Sequence, residues 1–141
     1  MSIVLGYDES PGSRAALAMA ISLAARFGEP LVLVYGVEPP GGVGEEFQAH
    51  QRALADMGRT AVAHAVAEAE RSGVGTVVEV LPQKPAQALI EAAHRHDGRV
   101  IVVGTRGESP LCGAVLGSVS HKLLHLSDRP VLCVPVGDDG G

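Results

Sequence analysis

Short runs of apolar, mostly β-branched residues alternate along this chain with longer stretches whose apolar positions recur every three or four residues. The first pattern predicts buried strands and the second amphipathic helices. Ser2 to Tyr7 predicts a first strand. Arg14 to Phe27 predicts a helix, with Leu17, Ala20, Ile21 and Ala24 on one face and Arg14, Ser22 and Arg26 opposite. Ser10 or Ser13 is placed to cap it and Gly28 to end it. Leu31 to Tyr35 predicts a second strand. Glu45 to Ser72 predicts a long helix, bent at Gly58, with Leu54, Met57, Ala61, Val62, Ala65, Val66 and Ala69 inward. Thr76 to Leu81 predicts a third strand. Pro85 suits a first helical position, Ala86, Leu89, Ile90 and Ala93 share a face, and Asp97-Gly98 ends that helix. A fourth strand holds Val100 to Val103. Val119, Leu123 and Leu126 lie at helical spacing in a last helix through about His125, and Val131 to Val136 predicts a fifth strand with Cys133 in the core. Five strands alternating with four helices imply an α/β fold, a mostly parallel sheet covered on both faces.

Two segments stand outside this rhythm. Gly36 to Gly44 holds four glycines and two prolines and reads as a connection suited to closing over a ligand; Asp138 to Gly141 reads as a disordered tail. The remaining 1–137 of 141 residues make one domain. Hydrophobic residues are 46% and charged residues 19%, the balance of a globular chain. Aromatics are 3%, Trp is absent and the net charge is −5. That argues against base-stacking platforms and against the basic footprint of nucleic-acid binders. No apolar run is long enough to span a membrane, and the start lacks the layout of a signal peptide. Cys112 and Cys133 form no CxxC pair. The expectation is a reduced, cytoplasmic protein.

Candidate chemistry concentrates after the fourth strand. Val103 runs into Gly104-Thr105-Arg106-Gly107, and nine residues later come Gly117-Ser118-Val119-Ser120 at a helix start. The first turn of a helix has N–H groups without internal partners and a partial positive charge. Glycines let backbone donors approach an anion closely. Ser118 and Ser120 add hydroxyls, and Arg106 offers a charged planar donor. The turn is therefore a candidate phosphate cradle. Three or four charge-assisted hydrogen bonds at about 1.5–3 kcal/mol each support affinity near ~1 μM.

The spacing Gly104-x2-Gly107-x9-Gly117-Ser118 resembles the G-x2-G-x9-G-[ST] motif of the ATP-binding branch of the universal stress protein family. Ile3 to Ser10 resembles that family's first strand and Asp-bearing loop, and Arg129 to Pro135 its last strand. The resemblance implies a single-domain three-layer α/β/α sandwich, Rossmann-like and similar to adenine nucleotide alpha hydrolases, with strand order 3-2-1-4-5. That order sets the first and fourth strands side by side at the switch point. Asp8 and Gly104 then face one crevice. The resemblance implies ATP as ligand, with Asp8 at the ribose or at a nucleotide-bound Mg²⁺. Gly6, Gly36 and Val37 border the adenine side. Val103 borders the ligand through its backbone, and Gly104, Arg106, Gly107, Gly117, Ser118, Val119 and Ser120 border the phosphates. It also implies a homodimer through Val131–Val136 and a nucleotide-dependent role in stress response with an unidentified protein partner.

Each residue also has a plainer reading. Asp8 serves equally as a turn or cap residue, Gly6 and Gly36 as loop punctuation, Val103 as core, and Arg106 as a solvated charge. His121 and His125 are four apart, a metal-compatible spacing on a helix, but no Glu completes HExxH and they read as solvated positions. Cys112 reads as a small packing residue. Neither Gly-x4-Gly-Lys-[Ser/Thr], Gly-x-Gly-x-x-Gly nor Gly-x-Ser-x-Gly occurs, and the loops expected to form the crevice offer no convincing general base paired with a nucleophile. The expectation is a binding module with at most weak ATPase activity. The alternatives are a slow ATP hydrolase or phosphotransferase in the same crevice, a flavin-binding electron carrier, or a stress protein that binds no nucleotide.

Overall fold

A computed structural model describes residues 1–8, 10–36, 45–105 and 118–136. Among the described residues five strands and four helices alternate: β1 (Ser2–Gly6), α1 (Pro11–Phe27), β2 (Leu31–Gly36), α2 (Glu45–Arg71), β3 (Thr76–Leu81), α3 (Pro85–Arg95), β4 (Gly98–Gly104), α4 (Ser118–Leu126) and β5 (Val131–Val134). All strand pairs are parallel, in the order β3-β2-β1-β4-β5. In β1, Val4 stands beside Val32 of β2 and Ile101 of β4, which fixes the centre of the sheet.

Alternation along the strands divides the core into two layers. Ile3, Leu5, Leu31, Leu33 and Val102 face α1 and α2, where Leu17, Ala20, Ala24, Val62, Ala65 and Ala69 meet them. Val4, Val32, Val34, Ile101 and Val103 face α3 and α4, where Ala88, Leu89, Ala92, Ala93 and Leu123 meet them. Burying each Val, Leu or Ile side chain contributes about 1.5–3 kcal/mol. The alanines let the helices lie close to the sheet.

The structure departs from the sequence reading in several places. α1 starts at Pro11 rather than Arg14: Ser10 caps it, its Oγ accepting from Ser13 N–H at 3.2 Å, and proline suits the first turn. Met57 was expected inward but is 60% exposed. Gly58 takes the inward position instead. A Cβ there would lie 2.9 Å from Tyr35 Cδ1 and 3.0 Å from Val80 Cγ1, so the glycine serves close packing of α2 on the sheet. The side chain of Leu54 lies outside the described residues. α3 stops before Asp97, which adopts φ 51° (the left-handed region), and Gly98 opens β4. β5 ends at Val134, two residues short of the expected Val136, because Pro135 has no N–H for the ladder. Cys133 is only half-buried, since β5 forms an edge of the sheet.

Ion pairs gather where β2 and β4 begin. Arg99 holds Glu29 through two nitrogens and stacks 4.2 Å over the Phe27 ring. His94 Nε2 lies 2.9 Å from Asp128 Oδ1. Glu79 of β3 meets Arg95 Nη1 at 3.0 Å and His96 Nε2 at 2.8 Å. Burial alone would raise the Glu79 pKa, but the hydrogen bonds from His96 and Arg95 outweigh it and hold the carboxyl below its ordinary value of 4.5. A carboxylate depressed in the folded state stabilises above its unfolded pKa and loses that contribution as pH falls through the folded one. Glu79→Gln is therefore expected to cost about 1 kcal/mol at pH 7. The deficit should shrink as pH falls below 4.5, and urea midpoints of both proteins across that range measure it.

Candidate functional site

The strand order brings the C-terminal ends of β1 and β4 together in the middle of the sheet. Their register pairs Leu5 with Val102, so Gly6 and Val103 follow as neighbours, and the Val103 Cγ1 atom lies 3.3 Å from where a Gly6 Cβ would stand. Beyond β1, Tyr7 N–H still donates to Val34 O at 3.1 Å. The chain then leaves the sheet at Asp8, which is exposed. Beyond β4, Thr105 N–H donates to Val134 O at 3.0 Å.

Asp8 is held by the start of α1. Its Oδ1 accepts from Ser10 N–H at 3.0 Å, and its own N–H donates to Ser13 Oγ at 3.3 Å. Its turn reading is thus realised. Oδ2 has no hydrogen-bond partner among the described residues, which leaves one carboxylate oxygen for a ligand. Mg²⁺ usually takes one or two protein carboxylates and keeps several waters, and Asp8 fits that demand.

α4 reaches the same end of the sheet. Ser118, Val119 and Ser120 form its first turn, where N–H groups lack intrahelical acceptors. Ser120 is 1% exposed, and its hydroxyl donates to Gly104 O at 2.8 Å. That bond ties the helix start to the end of β4. It also commits the Ser120 hydroxyl proton, leaving Ser118 with the exposed hydroxyl of the two. Val119 is half-buried against the α3–α4 layer.

Packing accounts for the glycines at three strand ends. A Cβ on Gly104 would lie 2.5 Å from the carbonyl carbon of Gly12 and 2.6 Å from its oxygen. On Gly36 it would meet Ala88 Cβ and Pro85 Cα, each at 2.9 Å, and on Gly6 it would meet Leu89 Cδ1 at 3.0 Å. The sequence reading passed over Gly12; the signal for it was the Pro11-Gly12 pair at a helix start. Val103 is 4% exposed and belongs to the core, as its plainer reading held. Val37, Arg106, Gly107, Gly117 and Cys112 lie outside the described residues.

Elsewhere, an open groove of about 680 Å³ runs between α2 and β3, with Val62, Val66, Val78 and Val80 as its apolar floor and Arg59 and Glu70 on its rim. Its lining holds no Ser, Thr, Cys, Lys or His. Among the described residues no cluster of three or more His, Cys, Asp or Glu side chains could hold a metal, and no helix is long and apolar enough to cross a membrane.

The model of the universal stress protein family matches residues 1–135. A universal stress protein of Thermus aquaticus is 35% identical over 137 residues, covering 94% of this chain and 97% of that protein. The universal stress protein of Archaeoglobus fulgidus in complex with dAMP superposes with a TM-score of 0.70 at 22% identity, covering 95% of this chain and 97% of that one. A universal stress protein in complex with cAMP gives 0.69 at 24% identity, covering 97% and 98%. At these identities the two complexes establish the fold. The matched family model and the Thermus relative, with the strand order and the paired ends of β1 and β4, place the chain in the universal stress protein family.

Proposed function

We propose that this chain is an adenine-nucleotide-binding regulator that holds ATP across the C-terminal ends of β1 and β4. The observation that supports the reading is the hydrogen bond from Ser120 to Gly104, which ties the first turn of α4 to the end of β4, the strand next to the one that Asp8 follows. A helix start presents donors and positive potential to phosphate. The Ser118 hydroxyl and the amides of Ser118, Val119 and Ser120 take the phosphates. Arg106, Gly107 and Gly117 belong to the same cradle by their place in the G-x2-G-x9-G-[ST] spacing. Asp8 holds the ribose hydroxyls or the nucleotide's Mg²⁺ through its free oxygen. Gly36 and Val37 flank the adenine, and Gly6 and Val103 form the floor. That relatives were solved with dAMP and with cAMP supports an adenine ligand.

The working form is a homodimer through β5, acting in the cytoplasm as a stress-response sensor whose bound nucleotide alters its surface for a protein partner. Support for the dimer lies in the open edge: Val131, Leu132 and Cys133 are only half-buried, and Leu124 and Leu126 on α4 are 53% and 62% exposed. An uncovered apolar edge strand calls for a cover.

Denaturing the purified protein and identifying what it releases tests the ligand. An adenine nucleotide in the extract, or ATP binding near ~1 μM by calorimetry, is expected. An empty extract together with no heat of binding at millimolar ATP would overturn the reading.

A further inference from the structure

We propose that His121 and His125 on the outer face of α4 form a two-histidine chelate for a divalent first-row transition ion such as Ni²⁺ or Zn²⁺. The sequence supplied only their spacing; the ring geometry adds what spacing lacks. The two imidazole centroids lie 4.7 Å apart, with ring planes inclined at 70°. An ion bonded to one nitrogen of each ring at about 2.0–2.1 Å sits about 3.2 Å from each ring centre. Bond angles of about 90–110° at the ion then require centroids about 4.5–5.2 Å apart. The observed separation falls in that interval, and rotation about the two side-chain torsions turns one nitrogen of each ring toward a shared ion.

The helix is fixed in the right orientation for this. Leu123, midway between the two histidines, is fully buried against the sheet, which turns both imidazoles outward. Both histidines are exposed, so water can complete the coordination shell. The other two histidines with defined partners, His94 and His96, are engaged by Asp128 and Glu79. Imidazole suits Zn²⁺, Ni²⁺ and Cu²⁺ alike. A second ring already in place removes most of the ordering cost of the second bond, so the pair binds well above a lone imidazole. Occupancy favours the helical form of α4 and raises stability by linkage. The site is independent of the nucleotide and stands whether or not one binds.

Calorimetric titration of the untagged, nucleotide-free protein with NiCl₂ tests the proposal; Ni²⁺ is chosen because Cu²⁺ would oxidise the cysteine thiols. One ion per chain is expected at this site, with a rise in thermal midpoint on adding Ni²⁺. His121→Ala and His125→Ala should each weaken binding at least tenfold, to the same residual level, and each should abolish the rise. Alanine at exposed helical positions favours the helix, so both variants fold. His64→Ala, at an exposed position on α2, should leave binding unchanged. Ni²⁺ affinity that survives either α4 substitution, or that depends equally on His64, would overturn the assignment.

Discussion

Gly104→Ala is expected to lower the stability of the fold by about 2–3 kcal/mol. The added Cβ would stand 2.5 Å from the Gly12 carbonyl carbon, 2.6 Å from its oxygen and 2.9 Å from its Cα. All three are backbone atoms in the first turn of α1, which Ser10 caps and Gly28 closes in the left-handed region. Nothing there can rotate aside, so α1 must shift from β4 or the end of β4 must bend. Thermal midpoints should fall by about 6–12 °C. Gly6→Ala supplies the contrast. Its Cβ would meet only side-chain ends, Leu89 Cδ1 at 3.0 Å and Val103 Cγ1 at 3.3 Å, so a smaller loss is expected. Differential scanning calorimetry of the two variants distinguishes them, and equal losses would mean that α1 gives way more easily than its capped start implies.

Gly117→Val is expected to weaken ATP binding at least ~100-fold, equivalent to about 2.7 kcal/mol, while changing the thermal midpoint by less than roughly 2 °C. Gly117 directly precedes the first turn of α4 in sequence. A branched side chain at that position shields the N–H groups of Ser118 to Ser120 from phosphate, and two charge-assisted hydrogen bonds at about 1.5–3 kcal/mol each account for the loss. Ser118→Ala removes one hydroxyl and leaves the amides, so a loss of about tenfold is expected there. Calorimetric titration with ATP and Mg²⁺ measures both. Gly117→Val binding ATP as tightly as the unaltered chain would place the cradle elsewhere.

The layered fold was legible because each strand carries its own short apolar run and each helix its own stripe. Thr76–Leu81 was read to the residue, since turn residues bracket it on both sides. The stripe Leu17, Ala20, Ile21 and Ala24 is buried throughout, as its spacing implied. What escaped depends on neighbours distant in sequence. Met57 looks inward by hydropathy, but whether it turns in depends on Tyr35 and Val80, which approach α2 at Gly58. Cys133 looks like core until β5 is found at the edge of the sheet among the described residues.

The site was legible in part. Motif spacing singled out Gly104, and the helix start Ser120, without revealing that they bond to each other across sixteen positions. Asp8 was recognisable as a residue leaving a strand at the switch point; its division of labour between a turn and a free oxygen required coordinates. The glycines were ambiguous because one residue type meets two demands. Close approach of a helix and close approach of a phosphate both require the absence of a Cβ, and only the positions of Gly12, Pro85, Ala88 and Leu89 expose the first of them.

Adenine nucleotide binding at the joined ends of β1 and β4 is tested most directly by following backbone amide resonances during titration with ATP and Mg²⁺. Saturable shifts centred on Gly6 to Asp8, Thr105 and Ser118 to Ser120 are expected. Shifts centred instead on Val62, Val66 and Val78 in the α2–β3 groove, or none at millimolar ATP, would contradict it.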